Sequence, residues 1–306
     1  MNASRTDAEA VRPARAAPTV SEPSPAPRRL PESVWALALL APSLLLLASL
    51  FLYPLSLSIR SAFTERGGDG GTGNFGRAFD LYGGDIVFSG AVACLTVAIA
   101  DILAIAIAGY LTLGRNQTAV AWLRWLYRWP LFIPFVVAAQ MMRSFLAKNG
   151  LMNNAIVGLG LLEPTQTVGF LDWRGVIVTF VWKQLPFVTL IVAGAMASLD
   201  RSMIEAARNL GAGRLRVLIE IVVPQIRGPL VVASVLTFVT LMSVLSVPMM
   251  INAGSPTMIT VDMAYRITSL SDYGTANALG VISYLMTAVV AWLYLRQGIR
   301  RDGVPP

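Results

Sequence analysis

Histidine is absent from the 306 residues, and cysteine occurs once, at Cys94 inside an apolar run. The first absence removes the commonest general base and metal ligand. The second excludes an intrachain disulfide, a CxxC motif and a cysteine-based zinc site. Lysine is almost as rare: Lys148 follows Ala147 and Lys183 follows Trp182, so the Gly-Lys step of a Walker-type phosphate loop is missing. Carboxylates do not cluster into a constellation with a nucleophile and a base. The chain is therefore not expected to be an enzyme, to bind ATP itself, or to carry a cofactor or a metal. Charged residues make up only 13% of it, against 55% hydrophobic, at a mean hydropathy of +0.63.

That composition is too apolar for one soluble core and fits a membrane. The formal charge is +7, but the basic residues lie in short segments between apolar runs, which points to membrane topology rather than nucleic acid. Residues 1–30 are rich in Ala, Pro, Ser and Arg and have no apolar periodicity, which reads as a disordered tail. The first apolar run starts too late and is too long for a cleavable signal. An all-α integral membrane fold of about six transmembrane helices follows, because crossing a core of about 30 Å takes roughly 20 apolar residues. The runs are 34–59, 86–113, 129–146, 175–198, 230–251 and 276–295, the last five forming one core over 86–300. Prolines at 42, 54, 130, 134, 186 and 248 predict kinks that neighbouring helices must satisfy.

Arginine sets the orientation, since positive residues in short loops stay in the cytoplasm. With the N-terminus inside, the inner loops hold Arg115, Arg124 and Arg128, then Arg201, Arg208, Arg214, Arg216 and Arg227, then Arg296, Arg300 and Arg301. The outer loops keep only Arg66, Arg77, Lys148, Arg174 and Arg266, together with Glu65, Asp69, Asp80, Asp85, Glu163, Asp172, Asp262 and Asp272. Both termini and the segment 199–229 are then cytoplasmic. Within that segment Ser202 and Glu205 have capping-box spacing, so a helix is expected to start at Ser202. Ile204, Ala207 and Leu210 would form its apolar stripe, and Gly211 suits the left-handed residue that ends it. A second helix over 214–222 would put Leu215, Leu218, Ile219 and Val222 on one face before Pro224 and Pro229.

Glu205-Ala206-Ala207, Gly211-Ala212, Ile221 and Val223-Pro224 resemble the EAA motif of bacterial ABC importer permeases, with valine where leucine is usual. Trp182, Pro186 and Phe187 are similar to the W…PF pattern of the same family. The resemblance implies a type I importer permease in the bacterial inner membrane whose first motif helix is a coupling helix in a cleft of an ATPase subunit. It also implies an ATPase dimer, a second permease that is identical or homologous, and an extracytoplasmic solute-binding protein. The docking residues would be Glu205, Ala206, Ala207, Arg208, Gly211, Ala212 and Arg214. The small alanines permit close approach, and Arg208 and Arg214 offer charges to acidic groups of a partner. The plainer alternative makes Glu205 a helix cap and the alanines only good helix formers.

Sugar-type members commonly carry Asp-Gly-Ala in the motif. Asn209-Leu210-Gly211-Ala212 looks instead like the polyamine, ferric-ion and phosphonate branches, with a sugar or glycerol-phosphate importer as the alternative. A secondary transporter is a more distant one, without the internal hydropathy repeat such folds often show. Ionisable residues inside spans are costly and tend to face the bundle interior or a cavity. Asp101 and Lys183 are therefore candidate pathway residues, with Gln140 and Trp182 beside them, although Lys183 could instead snorkel outward. Met249, Met250 and the Leu-rich first span read as packing or lipid contact.

Overall fold

The computed structural model describes residues 32–65, 68–114, 116–252 and 254–299; the tail expected over 1–30 lies outside them. The described chain is helical, with a single isolated bridge between Thr64 and Gly70. The helices are α1 (Glu32–Leu47), α2 (Tyr53–Ala62), α3 (Gly73–Leu113), α4 (Gln117–Leu126), α5 (Phe135–Leu146), α6 (Leu151–Gly158) and α7 (Trp173–Ala197). They continue as α8 (Arg201–Asn209), α9 (Arg214–Val217), α10 (Val223–Gln225), α11 (Arg227–Ser243), α12 (Ser246–Ile251), α13 (Ile259–Thr268) and α14 (Tyr273–Ile299). Four stretches are long and apolar enough to cross a membrane: Leu39–Ala62, Gly73–Leu113, Trp173–Ala197 and Tyr273–Leu293. With each of two bent pairs, Gln117–Phe132 with Phe135–Gly158 and Arg214–Gln225 with Arg227–Ser243, counted as one span, the candidate spans number six. The described residues up to Pro54 form one compact unit and those from Leu55 onward a second.

Within the second unit, α3 and α7 run side by side. Ala93, Ala100, Ala104 and Ala108 are fully buried on α3, and the facing cores take Phe180, Val188 and Val192 from α7. Small residues at helical spacing let the two backbones approach closely, the usual way helices associate where lipid supplies no hydrophobic drive. α3 is also longer than its apolar run. Its 41 residues reach about 60 Å, twice the hydrocarbon thickness, so residues 73–85 project beyond it. Contacts remote in sequence hold this polar, glycine-bearing extension. Buried Asn74 donates to the carbonyls of Ala62 and Thr64 (3.0 and 2.9 Å), and Arg266 Nε donates to the Tyr82 hydroxyl at 2.7 Å.

Two of the prolines, Pro134 and Pro248, accompany breaks stronger than kinks, whereas α7 runs on through Pro186. The third span breaks at Ile133-Pro134, where its two halves, Gln117–Phe132 and Phe135–Gly158, meet at 109°. Ile133 is extended (φ −88°, ψ 123°), as the residue before a proline prefers. The carbonyl of Leu131, at the end of the first half, accepts from Lys183 Nζ at 3.4 Å. The fifth span ends at Ser243 rather than running on to residue 251, because Val244 is extended and α12 begins anew with Pro248 inside it. Pro248 has no N–H to give the Val244 carbonyl, and the Thr260 hydroxyl supplies the bond at 3.2 Å. Both repairs show side chains satisfying backbone groups in a medium without water.

Candidate functional site

The segment 199–229 folds as two short helices. α8 starts at Arg201 with Asp200 as its cap, whose carboxylate accepts from the Ser202 amide at 2.9 Å. The expected Ser202–Glu205 capping box is therefore corrected: Asp200 stands two residues earlier, caps as well as serine, and adds a charge that the helix N-terminus favours. The same backbone donor holds the Asp200 carboxyl below its ordinary range. Glu205, released from capping, is exposed and makes no side-chain hydrogen bond or ion pair among the described residues.

The C-terminus of α8 closes in a Schellman turn. Gly211 sits at φ +85°, its amide donates to the Arg208 carbonyl (2.9 Å), and the Ala212 amide reaches back to the Ala207 carbonyl (3.0 Å). Ala207 and Ala212 both pack on the inner core around Ile204, Met196, Val217 and Val222. Ala206, Arg208 and Arg214 are exposed, and neither arginine pairs with a carboxylate among the described residues. Leu210, expected on the apolar stripe, is instead 89% exposed, because six residues on from Ile204 a helix has turned by about 240°, onto the face of Met203 and Ala206. With Met203 (48% exposed) and Ala206 it forms an outward stripe at i, i+3 and i+7 that sequence pattern alone did not reveal.

The second helix also differs from expectation. Val217 and Val222 are buried and Leu218 partly so, while Leu215 and Ile219 are exposed at 69% and 57%. The cause is a π turn over Leu218–Val222, where the Val223 amide bonds Leu218 instead of Ile219. Pro224 follows directly and cannot donate to Glu220, so widening the turn removes the clash between its ring and that carbonyl. Ile221 and Val223 are half-buried and Pro224 is exposed, at the bend of 75° that leads from Arg214–Gln225 into Arg227–Ser243. An Arg216–Glu220 pair at 2.8 Å braces the turn from the solvent side.

The four pathway candidates fall in three places. Gln140 and Trp182 line one largely apolar cavity of about 760 Å³ with Met141, Met142, Phe145 and Met250. Met250 is thus a cavity residue, whereas Met249 is 62% exposed. Asp101 lies between α3 and α11, its Oδ2 2.7 Å from the Ser234 hydroxyl, which also faces the Leu230 carbonyl at 2.8 Å. Lys183 does not snorkel outward. It is 7% exposed, holds the Leu131 carbonyl, and lies over the Phe135 ring at 5.0 Å.

Solved structures share the fold, and sequence relatives share the apolar chain over most of its length. The chain superposes on a chain of the bacterial alginate ABC transporter in complex with an alginate pentasaccharide-bound periplasmic protein, with a TM-score of 0.76 at 18% identity, covering 90% of this chain and 98% of that one. The sulfoquinovosyl glycerol transport system permease SmoG of Agrobacterium fabrum is 25% identical over 283 residues, 87% of this chain and 91% of that protein. The spermidine/putrescine permease PotB of Escherichia coli is 30% identical over 98 residues, 31% of this chain and 35% of that protein. The model of the binding-protein-dependent transport system inner membrane component matches residues 101–300, more than half of the chain. With its helical spans and the two-helix loop between the fourth and fifth of them, the chain belongs to that family of ABC importer permeases.

Proposed function

We propose that α8 is the handle through which a cytoplasmic ATPase moves this permease. The observation that carries the reading is the outward face of α8, where Met203, Ala206 and Leu210 form an exposed apolar stripe. An apolar side chain left in water forgoes about 1.5–3 kcal/mol that burial would return, so such a stripe favours a partner. The opposite face, Ile204 and Ala207, is locked to the ends of α3 and α7, which carries any movement into the spans. Both termini then lie in the cytoplasm. The assembly has an ATPase dimer, a second permease and an extracytoplasmic binding protein. Co-purification of the ATPase with Glu205→Gln and Leu210→Asp variants tests this, and undiminished recovery of both overturns it.

For the solute, we infer a saccharide or a sugar-glycerol compound. The polyamine, phosphonate or metal-ion class suggested by Asn209-Leu210-Gly211-Ala212 yields here, because the PotB proteins of Escherichia coli and Salmonella typhimurium match 31% and 54% of the chain while SmoG matches 87% of it. The cavity supports the same reading: Trp182 offers a ring face for a sugar and Gln140 a polar group that fixes orientation. Thermal-shift screening of the cognate binding protein against saccharides, amines, phosphonates and ferric complexes decides it. Stabilisation by a saccharide alone is the expected result, and stabilisation by an amine alone overturns the inference.

A further inference from the structure

A second cavity, of about 670 Å³, is closed by the cytoplasmic ends of α3 and α7 together with α4 and α8. Arg124, Arg128, Arg201 and Arg208 line it, against the single carboxylate of Glu205. None of the four guanidinium groups forms an ion pair among the described residues. Arg128 is held in place by its neighbour, its Nε donating to the Tyr127 hydroxyl at 3.2 Å. The remaining wall changes character: Leu190, Ala193 and Gly194 of α7 carry it towards the hydrocarbon. One cavity thus joins a cationic floor to an apolar side.

The other face of α4 fixes the depth. Trp122 and Trp125 are 66% and 52% exposed there, and Trp125 packs on Trp129 with ring centroids 5.0 Å apart. Clustered tryptophans of this kind sit at the level of lipid headgroups. α4 begins directly after the second span ends, on the side where arginine collects. The cavity therefore opens at the cytoplasmic headgroup layer. A soluble anion would use the arginines and leave the apolar wall unfilled; a zwitterionic lipid would bring its own cation among them.

We propose that this cavity is a binding site for an anionic phospholipid of the inner leaflet, its phosphodiester among Arg124, Arg128, Arg201 and Arg208 and its glycerol and upper acyl chain along Leu190, Ala193 and Gly194. Basic pockets between helices on the cytoplasmic side favour such headgroups, at roughly fivefold in affinity per guanidinium. Because Arg201 and Arg208 belong to α8, a bound lipid braces the helix proposed to meet the ATPase, but the site stands on the cavity and its charges alone.

The test uses the assembled importer, purified after exposure to equimolar phosphatidylglycerol and phosphatidylcholine and examined by native mass spectrometry. The expected result is selective retention of phosphatidylglycerol by the wild type. In R124Q/R128Q that retention falls about 25-fold, and in R124K/R128K most of it stays because the charge is kept. Equal retention of the two lipids by the wild type overturns the proposal, including the case in which a protein subunit fills the cavity. So does wild-type retention in R124Q/R128Q. Displacement of the lipid by millimolar inorganic phosphate also overturns it in favour of a soluble-anion site. If R124Q/R128Q does not assemble, the wild-type ratio and the lysine pair still decide.

Discussion

Replacing Gly211 separates two ways in which the end of α8 could matter. The residue sits at φ +85°, and a Cβ built on it meets nothing within 4 Å, so the whole penalty of a substitution is conformational. Alanine there should cost about 1 kcal/mol, and a β-branched valine about 2–3 kcal/mol, near the top of the range for a left-handed non-glycine residue. At tenfold per 1.4 kcal/mol, Gly211→Val lowers the population of the native turn by roughly 30- to 100-fold relative to competing exits from the helix. Asparagine tolerates the left-handed region, so Gly211→Asn should stay close to wild type. The assay is ATPase activity of the reconstituted importer with loaded binding protein, alongside recovery of the ATPase on purification. The expected order is Gly, then Asn, then Ala, then Val. Wild-type coupling in Gly211→Val refutes the reasoning. Equal damage from Asn and Val also refutes it, because that pattern belongs to a close approach by a partner and not to backbone geometry.

Leu210→Ala should weaken ATPase binding about tenfold while leaving the melting temperature of the isolated permease unchanged, since the side chain is 89% exposed; a titration of ATPase against permease in detergent measures it. Asp101→Asn keeps an acceptor for Ser234 and should preserve assembly while altering uptake, whereas Asp101→Ala and Ser234→Ala should each cost about 0.6–1.7 kcal/mol in thermal stability; identical melting curves for both would mean the 2.7 Å contact carries no energy. Asp262, between the fifth and sixth spans, is raised to about 6 by burial, opposed by the Thr257 hydroxyl, raised further by Asp85 and lowered by Arg266. The native state then holds a proton that the unfolded chain gives up near pH 4, so stability should fall as pH rises from about 4 to about 6, by at most about 3 kcal/mol, and Asp262→Asn should flatten that slope in melts taken across the window.

What the residues disclosed in advance follows the range of the forces involved. Six apolar runs and the spacing from Glu205 to Pro224 are local patterns, and a left-handed glycine after a short helix is a local requirement that Gly211 meets at φ +85°. Residues 73–85 escaped notice because their helix depends on partners in other segments: the carbonyls of Ala62 and Thr64 for Asn74, Arg266 for Tyr82, and Glu65, which accepts from the Gly73 amide at 2.9 Å. The prolines announced disturbance in the third span, but whether Pro134 kinks or severs it depends on a partner for the stranded Leu131 carbonyl, and Lys183 lies 52 residues away. Leu210 was misassigned for a geometric reason: six residues beyond Ile204 the helix has turned by about 240°, away from the face that Ile204 and Ala207 bury. Asp101 and Lys183 were conspicuous as charges in apolar runs, yet their partners, a serine on α11 and a backbone carbonyl, are invisible to a pattern search.

Cysteine accessibility at position 206 probes the side of the membrane on which the handle lies. In a Cys94→Ser background, Ala206→Cys should react with a membrane-impermeant maleimide in inside-out vesicles and not in intact right-side-out cells, and bound ATPase should protect it. Labelling in intact cells would put α8 on the outer surface, beyond the reach of any cytoplasmic ATPase, and would contradict the coupling role assigned to it.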